Sequence, residues 1–278
     1  MTPDLRIAFI GGGNMGRALV GALLGRGHPA TRLAIGEAYE TTRLALQRDF
    51  PGVQVGTDNR AAVEGAGVVV LAVKPQDMAQ VVTALRPQLQ QARPVVVSIA
   101  AGLRVADLEG WCGAGVPVVR AMPNRPALVG AGATGLYASP GVPAVARALA
   151  EDLLRAAGAV AWVEDESLMD AVTAVSGSGP AYFFLMAEAL ADAGIAQGLS
   201  PDAARQLAVA TLHGAGLMAQ RSDGDLARLR AEVTSRGGTT EAALRALADA
   251  QFREAIAAAV EAAVRRGREL AAQFGTRS

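Results

Sequence analysis

The sequence predicts an α/β fold: an N-terminal Rossmann-type, doubly wound parallel sheet followed by an all-α C-terminal domain. Three observations predict it. Short β-branched runs alternate with amphipathic patterns as far as Val163, the glycine-rich turn "GGGNMG" follows the first of these runs, and no strand-like run occurs after Glu166. Continuous apolar strands interleaved with helices belong to a parallel sheet covered on both faces. The expected division is 1–164 for the α/β domain and 165–278 for the helical one.

The strands are expected, in order, at "LRIAFI", "RLAIG", "VVVLAV", "PVVVSI", "PVVRAM", "GATGLYA" and "AVAWV". Amphipathic segments such as Asn14–Gly25 and Gln76–Leu89 lie between them, and "GATGLYA" reads as an added edge strand. The second half opens on one long helical pattern, "ESLMDAVTAVSGSGPAYFFLMAEALADAG". A second, "SPDAARQLAVATLHGAGLMAQ", starts with Ser200 as N-cap and Pro201 at the first helical position. "DLARLRAEV", "TTEAALRALA" and "QFREAIAAAVEAAVRRGRELAAQF" complete the set. These helices are rich in alanine and glycine and apolar on more than one face. Alone they bury their surfaces poorly, which predicts a homo-oligomer.

Hydrophobic residues make up 51% of the 278 and charged ones 19%, which suits packed cores and excludes wholesale disorder. Aromatics are only 4%, so small aliphatic side chains must fill the interior. The formal net charge is zero and no Lys/Arg cluster stands out, which argues against nucleic acid or an anionic membrane as partner. One cysteine, Cys112, and two histidines, His28 and His213, exclude an intrachain disulfide and a Cys- or His-rich metal centre. The first strand begins at Leu5, leaving no room for a signal peptide ahead of it, and no apolar run reaches membrane-spanning length. A cytoplasmic protein is expected.

Gly11-x-Gly13-x-x-Gly16 stands between the first strand and the first helix. In a dinucleotide fold the first glycine makes the tight turn, the second admits the pyrophosphate, and the third lets helix pack on strand. The anion would sit on the helix N-terminus, whose unpaired N–H groups and dipole favour negative charge. Glu37 closes the second strand about twenty residues on, where a carboxylate can accept from ribose hydroxyls and repel a 2′-phosphate. Its alternative role is to cap a helix starting near Ala38. Arg32 and Arg43 lie close by in sequence, so Glu37 favours NADH and leaves NADPH open.

Ligands of open α/β sheets gather beyond the carboxyl ends of the strands. Lys74 and Pro75 end one strand there, Ala100 to Gly102 the next, and Pro123 and Asn124 the one after, the last pair being expected beside a nicotinamide. In the second half, "VTSRGGTTEAAL" sets Gly237 and Gly238 before Thr239 and Thr240 at a helix N-terminus. Consecutive N–H groups there make a concavity suited to a carboxylate, and threonine hydroxyls both donate and accept. The same segment also reads as an ordinary capped helix. Neither histidine lies in a loop with catalytic character. A dehydrogenase acting on an alcohol or carbonyl needs a strong general acid/base, commonly His or Lys, whereas a protonated cyclic imine is already electrophilic.

With those residues in hand, the chain resembles pyrroline-5-carboxylate reductase along essentially its whole length. "FIGGGNMG", "LAVKPQ", "VSIAAG", "MPN", "SGSGPAY" and "VTSRGGTT" occur in that family's order and spacing. The resemblance implies a Rossmann domain, a helical domain that binds substrate and dimerises and often builds a decamer, and NADPH- or NADH-dependent reduction of L-1-pyrroline-5-carboxylate to L-proline. It places the pyrophosphate on Gly11, Gly13, Asn14, Met15 and Gly16, and the adenosine on Glu37 and Asn59. Ala72, Val73, Lys74, Pro75 and Ala100 would line the cofactor, with Asn124 near it. Glu166, Ser235, Gly237, Gly238, Thr239 and Thr240 would surround the substrate, Thr240 bonding to the ring nitrogen. "SGSGPAY" would lie inside the long helix, its small residues allowing close crossing.

Three positions depart from the family's usual pattern: Arg125 in place of threonine, Arg236 in place of proline, and Glu37 in place of a small polar residue. The rival readings are an imine reductase or a 3-hydroxyacid dehydrogenase, and a non-catalytic dinucleotide sensor. The hydroxyacid enzymes use a lysine in a helix of the second domain, and the stretch from Glu166 to Gly275 holds none. A sensor would not need "TSRGGTT".

Overall fold

The computed structural model describes residues 2–222 and 224–275. In chain order the strands are β1 (Ile7–Ile10), β2 (Leu33–Gly36), β3 (Gln54–Gly56), β4 (Val68–Leu71), β5 (Val95–Ser98), β6 (Val118–Met122), β7 (Gly132–Ala138) and β8 (Gly158–Trp162). The helices between and after them are α1 (Asn14–Gly25), α2 (Glu40–Asp49), α3 (Asn59–Val63), α4 (Pro75–Ala92), α5 (Val105–Cys112) and α6 (Ala144–Arg155). The chain continues with α7 (Met169–Val172), α8 (Gly179–Ala196), α9 (Pro201–Arg221), α10 (Leu226–Glu232), α11 (Thr239–Asp249) and α12 (Phe252–Gly275). Two compact units result: 1–178 together with 263–278, and 179–262.

The first unit is built on one eight-stranded sheet of order β3-β2-β1-β4-β5-β6-β7-β8. β1 lies between β2 and β4, both parallel to it, with Phe9 level with Ile35 and Val70. The runs of β1, β2, β4 and β5 are buried at every position because helices cover both faces. Successive side chains point to opposite faces, so each run supplies two cores. Phe9, Leu19, Ile35, Val70 and Leu153 meet on one side of the sheet. Ala8, Ile10, Val69, Met78 and Leu108 meet on the other.

The far end of the sheet corrects one expectation. "GATGLYA" forms β7, which runs antiparallel to β6, but it is not the edge: β8 pairs outside it, parallel. The reason is α6, which carries the chain over one face and returns it beside β7 in the same direction, as a parallel crossover must. β8 shows the half-exposed alternation of a true edge. β3, at the opposite edge, was not anticipated. Its three residues "QVG" are partly exposed and carry no apolar run.

A second correction concerns "SGSGPAY". The long helical pattern is not continuous: a π-turn, Thr173–Gly177, separates α7 from α8. A Cβ at Gly177 would lie 2.8 Å from Met122 Cε, so this glycine serves the packing of its own subunit. In the second unit α8 and α9 pack on one another, with Ala204 and Ala208 buried. Ser200 caps α9 by accepting from the Ala203 N–H at 3.3 Å, as expected.

Candidate active site

The glycine turn is shaped by what its neighbours forbid. Gly11 has φ +99°, and a Cβ there would come 2.7 Å from the Ala72 carbonyl oxygen. A Cβ at Gly16 would meet the Gly11 carbonyl oxygen at 2.7 Å, so α1 could not approach the strand with any larger residue. Gly13 differs: nothing lies within 4 Å of its missing Cβ. It is the N-cap of α1 and offers no side chain to the first turn, leaving the amides of Asn14 and Met15 to an external anion. That open space over an uncapped twelve-residue helix fits a pyrophosphate.

Beside the turn lies a cleft of about 640 Å³, which brings Gly11, Gly13, Glu37, Asn59, Ala72 and Lys74 together. Val73 also lines it, while Pro75 is the first residue of α4 behind Lys74. Glu37 is 7% exposed at the end of β2. One carboxylate oxygen accepts from the Gly12 N–H and the other from the Tyr39 N–H, each at 2.8 Å. The acid therefore braces the glycine turn and also lines the cleft. α2 starts at Glu40 rather than near Ala38, and Glu37 stands ahead of its first turn. Arg43 donates to the carbonyls of Glu37 and Ala38, at 3.2 and 2.6 Å. Asn59 packs its side-chain oxygen against Gly36, where any Cβ would collide with it. Ala100 is buried just after β5 and is not part of this cleft wall.

Asn124, expected near the cofactor, has its side-chain amide engaged within the protein. Its side chain is buried, with Nδ2 donating 2.9 Å to the Ser176 carbonyl and Oδ1 accepting 2.8 Å from the Ala133 N–H. Both ends of the amide are thus engaged within the protein, and the residue does not line the cleft.

Glu166 sits elsewhere in the first unit. Its Oε1 accepts from the Val105 N–H at 2.8 Å and from Arg120 at 2.9 Å, so it caps α5 and neutralises a buried arginine. It lines a separate polar pocket with Arg104, Arg120, Asp170 and Arg268. This tether to Val105 had no signal in the sequence, since it spans sixty-one residues.

In the second unit, Ser235, Gly237, Gly238, Thr239 and Thr240 form the approach to α11. Gly237 adopts φ +72°, which favours glycine, and Gly238 is the N-cap with no side-chain capping bond. The Gly238 N–H returns to the Ser235 carbonyl at 3.1 Å. The Gly237 N–H donates to the Glu241 carboxylate at 2.7 Å, so the chain itself already sets a carboxylate on this turn. Thr239 and Thr240 occupy the first turn, Thr240 half-buried. Glu241, a participant that sequence reasoning overlooked, was recognisable as an acid four residues past a glycine turn.

The remaining nucleophile is inert. Burial pushes the Cys112 thiol up to about 12, and a thiol held protonated neither attacks nor ligates. Among the described residues no group of three His, Cys, Asp or Glu side chains could hold a metal ion. Nor is any helix among them long and apolar enough to cross a membrane.

Comparison with known proteins bears on both halves. Residues 166–270 match the model for pyrroline-5-carboxylate reductase dimerisation, and residues 6–102 match that for NADP oxidoreductase, coenzyme F420-dependent. The chain is 47% identical over 270 residues to pyrroline-5-carboxylate reductase of Pseudomonas aeruginosa, covering 97% of this chain and 98% of that one. It is 44% identical to the Mycobacterium tuberculosis enzyme of the same name, covering 95% and 96%. A solved pyrroline-5-carboxylate reductase from Coxiella burnetii superposes with TM-score 0.92 at 40% identity, covering 96% of this chain and 98% of that one. The Plasmodium falciparum pyrroline carboxylate reductase, solved with NADP bound, gives TM-score 0.80 at 28% identity over 98% of this chain and all of the other.

Proposed function

The chain belongs to the pyrroline-5-carboxylate reductase family, whose activity is NAD(P)H-dependent reduction of L-1-pyrroline-5-carboxylate to L-proline, and on that premise we propose how its own residues serve the reaction. The cofactor is NADPH or NADH. The observation that carries the cofactor reading is the uncapped N-terminus of α1 under the open face of Gly13. Residues 1–164 hold the dinucleotide and 165–278 supply substrate binding and dimerisation. Gly11, Gly13, Asn14, Met15 and Gly16 receive the pyrophosphate, and Glu37 and Asn59 the adenosine end. Ala72, Val73 and Lys74 form the wall toward the nicotinamide, with Pro75 behind Lys74 and Ala100 beyond the end of β5.

The reduced nicotinamide supplies a hydride when bound. The chain's task is then to hold a planar cyclic imine with its carbon facing that donor. The approach to α11 does this with Ser235, Gly237, Gly238, Thr239 and Thr240, on this chain or a second copy. The substrate carboxylate takes the turn's N–H groups, displacing Glu241 from Gly237, and the Thr240 hydroxyl bonds to the ring nitrogen. The protonated C=N accepts the hydride at carbon and becomes a C–H and N–H pair, so no histidine is required. Glu166, in its own polar pocket of the first unit, is assigned to the substrate as well. The helical half forms a homo-oligomer; a homodimer assembled further into a decamer, in the cytoplasm, is our finer reading.

The test is spectrophotometric. NADH or NADPH oxidation should be rapid with pyrroline-5-carboxylate and negligible with a 3-keto acid or an unrelated imine. Equal turnover of the 3-keto acid would overthrow this assignment.

A further inference from the structure

Pro180 lies at the second residue of α8, within a longer helical run that begins at Met169. Proline has no N–H, and its ring crowds the carbonyl four residues back, here that of Ser176. The chain widens at this point. The Ser178 N–H bonds five residues back, to the Thr173 carbonyl, at 2.8 Å. Ser176 is left with a carbonyl that Pro180, having no N–H, cannot satisfy. Asn124 Nδ2 satisfies it at 2.9 Å.

We propose that Asn124 is a positioning residue: its amide completes the backbone that Pro180 leaves open and fixes the π-turn Thr173–Gly177 in one geometry. The same side chain accepts from the Ala133 N–H, so it ties the end of β6, the start of β7 and the turn together. That task needs a donor and an acceptor on one short side chain, which asparagine has and aspartate, ionised, lacks. Asn124 is buried, so its amide meets its hydrogen-bonding needs within the protein, through Ser176 and Ala133.

Two placements connect the clamp to the reaction, and both rest on the function proposed above. Asn124 follows β6, which is parallel to β5 and, through it, to β4 and β1. It therefore lies beyond the same edge of the sheet as the glycine turn and Ala100. The π-turn is also the last element before the chain leaves the first unit at Ser178. π-turns inside helices recur at functional sites. Asn124 touches neither reactant; it acts through the turn, and misplacing reacting atoms by an ångström costs about a hundredfold in rate.

The test is a double-mutant cycle on the full-length enzyme, with pyrroline-5-carboxylate and NADH. Asn124→Asp keeps the acceptor for Ala133 and removes the donor, so kcat should fall roughly ten- to a hundredfold while the KM for NADH stays within about threefold. Pro180→Ala offers Ser176 a backbone N–H that competes with Asn124, and should lower kcat on its own. Because both changes act on one carbonyl, the double variant should be no slower than the slower single one. Losses that multiply, or a wild-type kcat in Asn124→Asp, overturn the proposal. If Asn124→Asp fails to fold, Pro180→Ala decides alone: an unchanged kcat overturns it. A wild-type enzyme inert toward pyrroline-5-carboxylate defeats the reaction itself, an outcome separate from losses that multiply in an active one.

Discussion

Glu37 shows how one side chain carries two duties. Its oxygens brace the Gly12 and Tyr39 amides while it lines the cleft proposed for the cofactor. Replacing it with serine should raise the NADPH/NADH ratio of kcat/KM, since a charge that repels the 2′-phosphate is gone. The same change leaves a buried amide without its acceptor and should lower stability by about 1–3 kcal/mol. Cofactor kinetics and a urea melt on Glu37→Ser check both; an unmoved ratio removes Glu37 from cofactor selection. His28 offers a pH effect. Desolvation lowers its pKa in the folded chain, and its Nε2 has no hydrogen-bond partner. A group held neutral in the fold binds fewer protons there than when unfolded, where it titrates near 6.5. Its contribution is whole above about pH 6.5 and declines as pH falls below that value. His28→Gln should flatten the loss of thermal stability between about pH 7 and pH 5. A steeper acid slope in the variant would contradict this origin.

At the scale of elements, what the sequence made legible were the features with strong local causes. The buried strands β1, β2, β4 and β5 announce themselves as apolar runs, β6 does so around the single Arg120, and the start of α9 shows as Ser200 followed by Pro201. The glycine turn was legible for the same reason: Gly11 and Gly16 sit where any Cβ meets backbone. β3 was not legible, because three half-exposed residues held by pairing with β2 have no pattern of their own. The outer place of β8 depends on the route of α6, a tertiary fact that "AVAWV" does not encode. The π-turn did have a local signal in Pro180, misread because small residues around it suit close packing equally well. Asn124 and Glu166 were named from the sequence, but their partners, Ser176, Ala133, Val105 and Arg120, are distant in the chain. Long-range hydrogen bonds of this kind leave no trace in spacing.

At the scale of the whole molecule, the second unit is incomplete as a single chain. α8 carries only Glu188 and Asp192 as charged residues, and its Phe183, Phe184 and Leu185 are 62%, 63% and 64% exposed. A large exposed apolar surface of this kind marks an interaction site, and the match to a dimerisation domain points to another copy of the chain. Phe184→Glu should shift the oligomer toward monomer in light scattering, and an unchanged mass would place the interface elsewhere. The approach to α11 carries the central proposal: its turn holds the substrate carboxylate and Thr240 orients the imine, with no acid–base histidine. Thr240→Val keeps the shape and removes the hydroxyl, so the most direct measurement is its kcat/KM for pyrroline-5-carboxylate beside the KM for NADH. We predict a fall in kcat/KM on the order of tenfold to a thousandfold, the range from one buried hydrogen bond to a catalytic donor, with cofactor KM unmoved. Full activity in Thr240→Val would contradict the account and leave this threonine as a residue of the helix's first turn and nothing more.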